Sequence, residues 1–283
     1  FCIGTGNEAA SAGHTSGRII SEGEETIQLA IQSRQSSISI QIWKEYTDQI
    51  EISIINPSGV RVGPVPEILG PHRFRIGQTE ILLYYGEPSP YSISQEIYID
   101  LLPVESYLTE GIWRIVLSAG KIVTGQYEMW LPSDNVLNRG TGFLFPTDAT
   151  TLTIPSSASR AISVGAYDAR TFAYADFSGR GFTRLTNMVK PDLVAPGVEV
   201  MTTTVGGGYA AFTGTSFATP FVTGSAALLM EWGIVRGNDP YLYGEKVKAY
   251  LRRGAKKVPG FDEYPNGEVG YGALCTAQSI PKI

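Results

Sequence analysis

The 283-residue chain contains few of the residues that build disulfide frameworks or metal centres. Its only cysteines, Cys2 and Cys275, lie too far apart in the sequence to indicate a disulfide framework, and we predict buried free thiols. The only histidines, His14 and His72, are too few for a histidine-rich metal site, and no Cys/His cluster is present. The sequence therefore predicts no metal site and no cofactor.

Positive charge and long apolar runs are also scarce. The net charge of −5 provides no basic surface, so we do not expect nucleic acid as a partner. No apolar run has the length of a bilayer span, so we expect no membrane partner. The amino terminus lacks the charged region and apolar core of a signal peptide. It also lacks a starting Met and begins as if within a strand, which indicates a processed or truncated chain.

With 43% hydrophobic and 17% charged residues, the composition is that of a globular protein with one large domain or two modest ones. Between Arg18 and Pro132, apolar and polar residues alternate with the period of two that marks half-buried strands. The alternating segments are 38–42, 50–54, 81–85, 97–99, 113–117 and 127–131. Turn residues separate them, so we predict a β-sandwich of the jelly-roll type over 18–132. An α/β pattern covers 1–17 and 133–283, and these segments form the second predicted domain.

The segment from Phe212 to Trp232 is the central feature of the α/β part. An almost uncharged helical pattern follows Gly-Thr-Ser and predicts a buried helix. Ser216 stands where the helix begins, so unpaired backbone N–H groups would surround its hydroxyl, an environment suited to a nucleophile. The alternative is that Ser216 is an N-cap residue. Pro220 fits a first helical turn, where its missing N–H carries no cost.

Asn7 follows a short apolar strand end and precedes a run of small residues. Loops after buried strands often carry function in α/β folds. The alternative is a turn residue that tolerates unusual backbone angles.

Several ordered blocks resemble the subtilisin-like serine proteases. The most specific is Gly-Thr-Ser-Phe-Ala-Thr-Pro at 214–220, preceded by Ala-Pro-Gly-Val at 195–198. Gly-Thr-Gly-Asn-Glu at 4–8 resembles the segment that carries the family's oxyanion-hole asparagine. The blocks 162–166, 176–178 and 270–272 follow in the family's order. The resemblance covers 1–14 and about 145–280, so the sandwich is an insertion.

The resemblance implies a fold and a set of roles. The fold would be α/β, part of a subtilisin-like parallel-sheet domain without its N-terminal strands, with an inserted all-β jelly-roll-like sandwich. Ser216 would be the acyl-forming nucleophile, and Asn7 would donate its side-chain amide to the oxyanion beside the Ser216 backbone N–H. The edge Gly4, Thr5 and Gly6 would pair with the backbone of a polypeptide substrate and line the pocket for the residue before the cut.

Further residues also match family positions. Pro155 aligns with a proline that follows a pocket-lining strand, so a cis Ile154–Pro155 bond is expected. Asp192 would have a structural role, because its Lys-Pro-Asp context recurs in the family as structure. No Asp-rich loop is present, so we predict no calcium site although the family binds calcium at several loops.

One departure from the family pattern is decisive. The family's catalytic Asp and His precede the asparagine, whereas nothing in this sequence precedes Phe1. His14 would be a loop histidine, and His72 lies within the insertion. The chain is thus expected to be an inactive fragment whose partner is the missing N-terminal part of the same protein. The absent strands would leave apolar surface uncovered.

A sandwich inserted between the asparagine and serine segments is similar to that of the clostridial Csp-type germination proteases, which cut the precursor of a cortex-degrading hydrolase in spores. This resemblance favours the bacterial cytoplasm or the spore over secretion. A pseudoprotease with a regulatory or binding role is the alternative, since some Csp-type relatives have lost triad residues. A third hypothesis gives the sandwich a glycan- or partner-binding role of its own, although Trp43, Trp113 and Trp130 are expected in its core.

Overall fold

The computed structural model describes residues 1–281, and the chain divides into two compact units. The α/β unit contains Phe1–Ala10 and the chain from Asp148 onward, and the sandwich unit is Ser11–Thr147. The strands, in chain order, are β1 (Cys2–Gly4), β2 (His14–Arg18), β3 (Glu24–Ile31), β4 (Ile38–Glu45), β5 (Ile50–Ile55), β6 (Arg61–Val65), β7 (Gly70–Ile76), β8 (Thr79–Tyr85), β9 (Ser94–Pro103), β10 (Gly111–Ala119), β11 (Gln126–Trp130), β12 (Gly142–Phe143), β13 (Ile162–Asp168), β14 (Ala173–Tyr174), β15 (Leu193–Pro196), β16 (Val200–Thr203) and β17 (Tyr209–Phe212). The α-helices are α1 (Thr215–Met230), α2 (Glu245–Arg253) and α3 (Thr276–Ser279).

The sandwich unit consists of two antiparallel sheets. Their strand orders are β12-β3-β10-β5-β6 and β2-β11-β4-β9-β8-β7. The apolar residues that alternate along the strands lie in a shared core, as the period of two predicts. Core residues from both sheets include Ile40, Ile42, Ile52, Ile54, Ile97 and Ile99. Trp113 is buried there as predicted, but Trp43 and Trp130 are only half-buried and the expectation of core positions for them is wrong.

The unit boundaries differ from those expected from sequence, which were 17/18 and 132/133. β2 pairs antiparallel with β11, and this ladder places residues 14–18 in the sandwich. At the other end, Gly142 and Phe143 pair with β3, so the sandwich continues to Thr147. Neither segment shows a clear apolar alternation in its sequence. Each is an edge strand that is held by backbone hydrogen bonds, so its place in the sheet has no period-of-two signal.

The α/β unit is built around β13. This strand pairs in parallel with β1 and β15 and antiparallel with β14, which gives a small mixed sheet. Helix α1 packs on this sheet, as an apolar helix beside buried parallel strands is expected to do. The shared core contains Ile162, Val164, Ala166, Leu193, Ala218, Val222 and Leu229. β16 and β17 form a separate antiparallel hairpin immediately before α1.

The start of α1 corrects two expectations. Gly214 is the N-cap residue and Thr215 is the first helical residue, so the N-cap alternative for Ser216 is wrong. Pro220 is the sixth helical residue and not part of the first turn. Its missing N–H therefore leaves the Ser216 carbonyl without its i+4 donor within the helix. A π-helical turn, Glu231–Val235, continues the helix.

By length and composition alone, the 21-residue stretch Thr215–Val235 could cross a membrane, which the sequence reading did not anticipate. Core helices of soluble proteins satisfy the same criteria. In this helix Ala218, Val222 and Leu229 are buried against the sheet.

Cys2 and Cys275 are free thiols, as predicted, but each is half-buried and not fully buried.

Candidate active site at the start of helix α1

The end of β1 and the start of α1 approach each other closely because glycine stands at position 4. A Cβ added to Gly4 would lie 2.9 Å from Thr215 Oγ1 and 3.2 Å from the Thr215 carbonyl carbon. Contacts this short are not tolerated, so any larger residue would move the strand away from the helix. The glycine thereby brings the segment carrying Asn7 next to the helix that carries Ser216.

The Asn7 side chain is held by Thr215. Its Oδ1 accepts a hydrogen bond from the Thr215 N–H at 3.0 Å and one from the Thr215 hydroxyl at 3.2 Å. The same hydroxyl oxygen accepts the Gly6 N–H at 3.2 Å. Because two donors fix Oδ1, the amide orientation is set and the Asn7 NH₂ group is directed away from Thr215.

Gly214 leaves room for that NH₂ group. A Cβ at this position would lie 3.3 Å from Asn7 Nδ2. The residue also has a φ of 150° and a ψ of 159°, a backbone conformation that favours glycine. Both the side-chain space and the backbone angle therefore explain the Gly in Gly-Thr-Ser.

Ser216 is exposed and is the second residue of α1. Its backbone N–H is one of the first four of the helix, which have no intrahelical acceptor. The positive end of the helix dipole lies at the same place. The segment that carries Asn7 and the start of α1 are in contact. Together they supply the Ser216 hydroxyl as a nucleophile, and the Ser216 N–H and the Asn7 amide as hydrogen-bond donors, an arrangement suited to acyl transfer.

The glycine-threonine-glycine edge is bonded within the protein. Thr5 is buried, donates its N–H to the Val164 carbonyl at 3.0 Å, and accepts the Thr153 N–H at 2.9 Å. The Gly6 carbonyl accepts the Gly179 N–H at 3.0 Å. The N–H groups of Thr5 and Gly6 are thus already bonded within the protein, whereas the Gly6 carbonyl oxygen can accept a second hydrogen bond, so the pairing of this edge with substrate stays a prediction. Held by these bonds, Gly4, Thr5 and Gly6 form a wall beside Asn7.

Thr153 shapes that wall, and sequence reasoning did not identify it. A Cβ on Gly6 would lie 2.4 Å from Thr153 Cγ2, and Gly6 has a φ of +90°. The Thr153 hydroxyl donates to the Thr5 carbonyl at 3.3 Å. The following Ile154–Pro155 bond is cis, as expected. Thr215 was also missed as a positioning residue, although its place between Gly214 and Ser216 is a usable signal.

Both histidines lie in the sandwich unit, whereas Ser216 lies in the α/β unit. His14 is in strand β2 and not in a loop as expected; it is buried and stacks on Trp130 with ring centroids 4.6 Å apart. Its Nδ1 is 3.1 Å from the Thr147 carbonyl oxygen. His72 lies in β7, with Nε2 2.8 Å from the Ile68 carbonyl oxygen. The α/β unit therefore supplies no histidine to Ser216.

Asp192 lies in a buried ion cluster at the other end of the sheet. Its Oδ2 accepts the Ser163 N–H at 2.6 Å and faces Lys190 Nζ at 2.9 Å. Arg252 Nε donates to Oδ1 at 2.7 Å. This environment is that of a structural carboxylate. Within residues 1–281, no group of three or more His, Cys, Asp or Glu side chains is placed to hold a metal ion.

The chain is similar in sequence to known proteins. The family model described as "Subtilase family" matches residues 114–272, more than half of the chain. Serine protease AprX of Bacillus subtilis is 33% identical over 154 residues, which are 47% of this chain and 33% of AprX. Subtilisin BL of Lederbergia lenta is 33% identical over 121 residues, 43% of this chain and 40% of that protein.

Among solved structures, the CspB protease of Clostridium perfringens superposes with a TM-score of 0.91 at 37% identity. The match covers 98% of this chain and 58% of the CspB protease. The chain thus spans well under two thirds of the length of each of these proteins. With the family model matched over more than half of its residues, the chain belongs to the subtilase family.

Proposed function

We propose that this chain is the nucleophile-bearing part of a serine endopeptidase. Ser216 Oγ attacks the substrate carbonyl and forms an acyl-enzyme, which water then hydrolyses. The developing oxyanion receives hydrogen bonds from the Asn7 amide and the Ser216 backbone N–H. The observation that carries this proposal is the double hydrogen bond from Thr215 to Asn7 Oδ1, which leaves the NH₂ group to donate elsewhere.

The general base and its orienting acid are proposed to come from an upstream part of the same protein. In this chain, both histidines are in the sandwich unit and both have ring nitrogens within hydrogen-bond distance of backbone carbonyls there. The chain alone is therefore expected to be inactive. A catalytic His and Asp that precede Asn7 would give the family's chain order of Asp, His, Ser.

The same upstream part is proposed to complete the sheet and cover α1. β1 has a strand neighbour, β13, on one side only within the described residues. On α1, Phe221 and Leu228 are exposed by 43% and 55% although the helix is apolar. An apolar helix in an α/β domain is normally covered on both faces, so a missing layer is the simplest account of these surfaces.

The sandwich is proposed to be a jelly-roll-like insertion, supported by chain crossings between the two sheets from β2 to β5. For the physiological role, we propose the processing of a spore germination pro-enzyme in the bacterial cytoplasm or spore. The similarity to the CspB protease of Clostridium perfringens over 98% of this chain supports that role.

Active-site labelling tests the proposal. The full-length protein, the 283-residue chain and the Ser216→Ala variant of each would be treated with a fluorophosphonate and digested for mass spectrometry. We expect labelling at Ser216 in the full-length protein only, and none in the variant. Ser21→Ala serves as the matched control, because Ser21 is an exposed serine of the sandwich unit.

A folded full-length protein that is never labelled would reject the enzyme proposal and support a pseudoprotease. Labelling of the 283-residue chain at Ser216 would instead reject the upstream source of the base.

A further inference from the structure

The α/β unit has a cavity that is remote from Ser216. A cavity of about 330 Å³ lies beside helix α2 and the segment that precedes β15. Its lining residues are Ser159, Met188, Val189, Lys190, Glu245, Lys248, Ala249, Arg252 and Tyr271. Lys190 precedes β15 and Ser159 precedes β13, whereas Asn7 follows the carboxyl end of β1. Because these three strands are parallel, the cavity lies at the amino ends of the strands and the candidate active site lies at their carboxyl ends.

The wall of the cavity carries more positive than negative charge. Lys190, Lys248 and Arg252 all face one buried carboxylate, that of Asp192. The side chains of Lys190 and Lys248 are 1% and 8% exposed, so little solvent stabilises their charge. Asp192 and the Glu245 carboxylate in the lining together offset two of the three cations, so one positive charge remains, and burying it without a counterion is unfavourable.

The ionisation of Lys248 reflects this imbalance. Burial lowers the pKa of its ammonium group, Asp192 opposes that change, and the nearby charges of Lys190 and Arg252 lower the pKa further. Lys248 Nζ also donates to the Ser159 and Ala161 carbonyls at 2.6 and 3.2 Å, which hold it at the cavity wall.

Arg252 supplies the donors for an anion. It uses Nε and Nη2 on Asp192 Oδ1, and a guanidinium carries five N–H groups in all. Its side chain is 26% exposed, and the guanidinium lies over the Tyr271 ring with 4.7 Å between its central carbon and the ring centroid. Stacking fixes the plane of the guanidinium, which suits it to bind a planar carboxylate.

Part of the remaining wall is apolar. Met188, Val189 and Ala249 line the cavity together with the Tyr271 ring. The volume falls within the range of small-molecule sites, which combine apolar walls with a few placed polar groups.

We propose that this cavity binds a small organic carboxylate. The carboxylate lies against Arg252 within the positive field of Lys190 and Lys248, and the apolar body lies against Tyr271, Met188 and Val189. Glu245 is the one carboxylate in the cavity lining, and its charge opposes binding. The proposal does not depend on the chemistry of Ser216.

Thermal unfolding of the full chain tests the proposal, with sodium benzoate as the probe and uncharged benzamide as its isosteric control. Ionic strength is matched with NaCl, and inorganic phosphate is run in parallel. We expect a saturable rise of Tm with benzoate and none with benzamide. Lys248→Met should raise the benzoate Kd roughly three- to tenfold, and Glu245→Gln should lower it by a similar factor.

The Glu245→Gln result is the sharper one, because a folding defect does not tighten binding. Lys246→Met is the matched control, since Lys246 is a neighbouring lysine of α2 that pairs with Asp239 outside the cavity. Equal shifts with benzoate and benzamide would overturn the proposal. So would a benzoate Kd that is the same in Lys248→Met and Glu245→Gln as in the parent chain, or a response to phosphate without one to benzoate.

Discussion

Asn7 and Thr215, 208 residues apart in the chain, are joined by two hydrogen bonds to a single amide oxygen. The acceptor Oδ1 satisfies the first N–H of helix α1, so Asn7 acts as a side-chain cap supplied from another segment. The NH₂ group of the same amide is the proposed hydrogen-bond donor to the oxyanion. Asn7 therefore has two separable roles, one in stability and one in the proposed reaction.

The first prediction separates those roles. In the full-length protein, Asn7→Asp keeps an acceptor for Thr215 and places a negative charge near the helix amino terminus, where it is tolerated. It removes the amide donor, so kcat should fall on the order of 10²–10³-fold with little change in KM or Tm. Asn7→Ala removes both roles and should lower Tm as well. Undiminished kcat in Asn7→Asp would show that the amide does not stabilise the oxyanion.

The second prediction concerns the wall beside Asn7. Gly6→Ala adds a methyl group 2.4 Å from Thr153 Cγ2 at a φ of +90° and should cost roughly 2–4 kcal/mol of unfolding free energy. Gly207→Ala is the matched control, because Gly207 has a φ of +96° and no neighbour within 4 Å of the added atom. It should cost only about 1–2 kcal/mol. Urea denaturation of both variants measures the difference, and equal losses would mean that Thr153 moves aside.

The sequence predicts the elements of this site better than their contacts. Helix α1 and the main sandwich strands follow from local periodicity, which a single segment carries. β2 and β12 were placed outside the sandwich because their backbone partners are distant in sequence. The Gly4–Thr215 approach has no local signature at all, since it depends on how the strand and the helix pack.

Asp192 illustrates the same limit. Its Lys-Pro-Asp context indicated a structural role, but Arg252, 60 residues later, could not be identified as its partner. The periodicity of α2 predicts which face of that helix is apolar. It does not predict which of the basic side chains on α2 will reach a carboxylate in another segment.

The third prediction follows from that partnership. Asp192→Asn leaves Lys190 and Arg252 without their buried counterion and should reduce stability by about 3–5 kcal/mol. Glu231→Gln removes the carboxylate that faces Arg236 in an exposed pair and should leave the urea midpoint nearly unchanged. A similar small effect of both substitutions would mean that the cluster is hydrated and contributes little.

The fourth prediction is a pH dependence in the sandwich unit. The Asp48 carboxylate is buried and accepts the backbone N–H groups of Val123, Thr124 and Gly125 together with the Thr124 hydroxyl. Burial by itself would raise the pKa of Asp48, but these donors outweigh it and the pKa lies below its ordinary value. A lowered pKa in the folded state means that the folded protein binds the proton more weakly than the unfolded chain does. The stabilisation is therefore complete above the unfolded pKa of about 4 and is lost as the pH falls through the folded value.

Asp48→Asn should test this directly. At pH 7 the variant should lose roughly 1.5–3 kcal/mol, because hydrogen bonds to a charged acceptor are replaced by contacts with a neutral amide that is itself partly a donor. Urea melts at pH 7, 5, 4 and 3 can be followed by tryptophan fluorescence, since Trp43, Trp113 and Trp130 all lie in the sandwich unit. The difference in unfolding free energy between the parent chain and the variant should narrow below pH 4. A stability difference that stays constant from pH 7 to pH 3 would mean that Asp48 does not titrate differently in the folded and unfolded chains, and its contribution to the loop at 123–125 would then not depend on its charge.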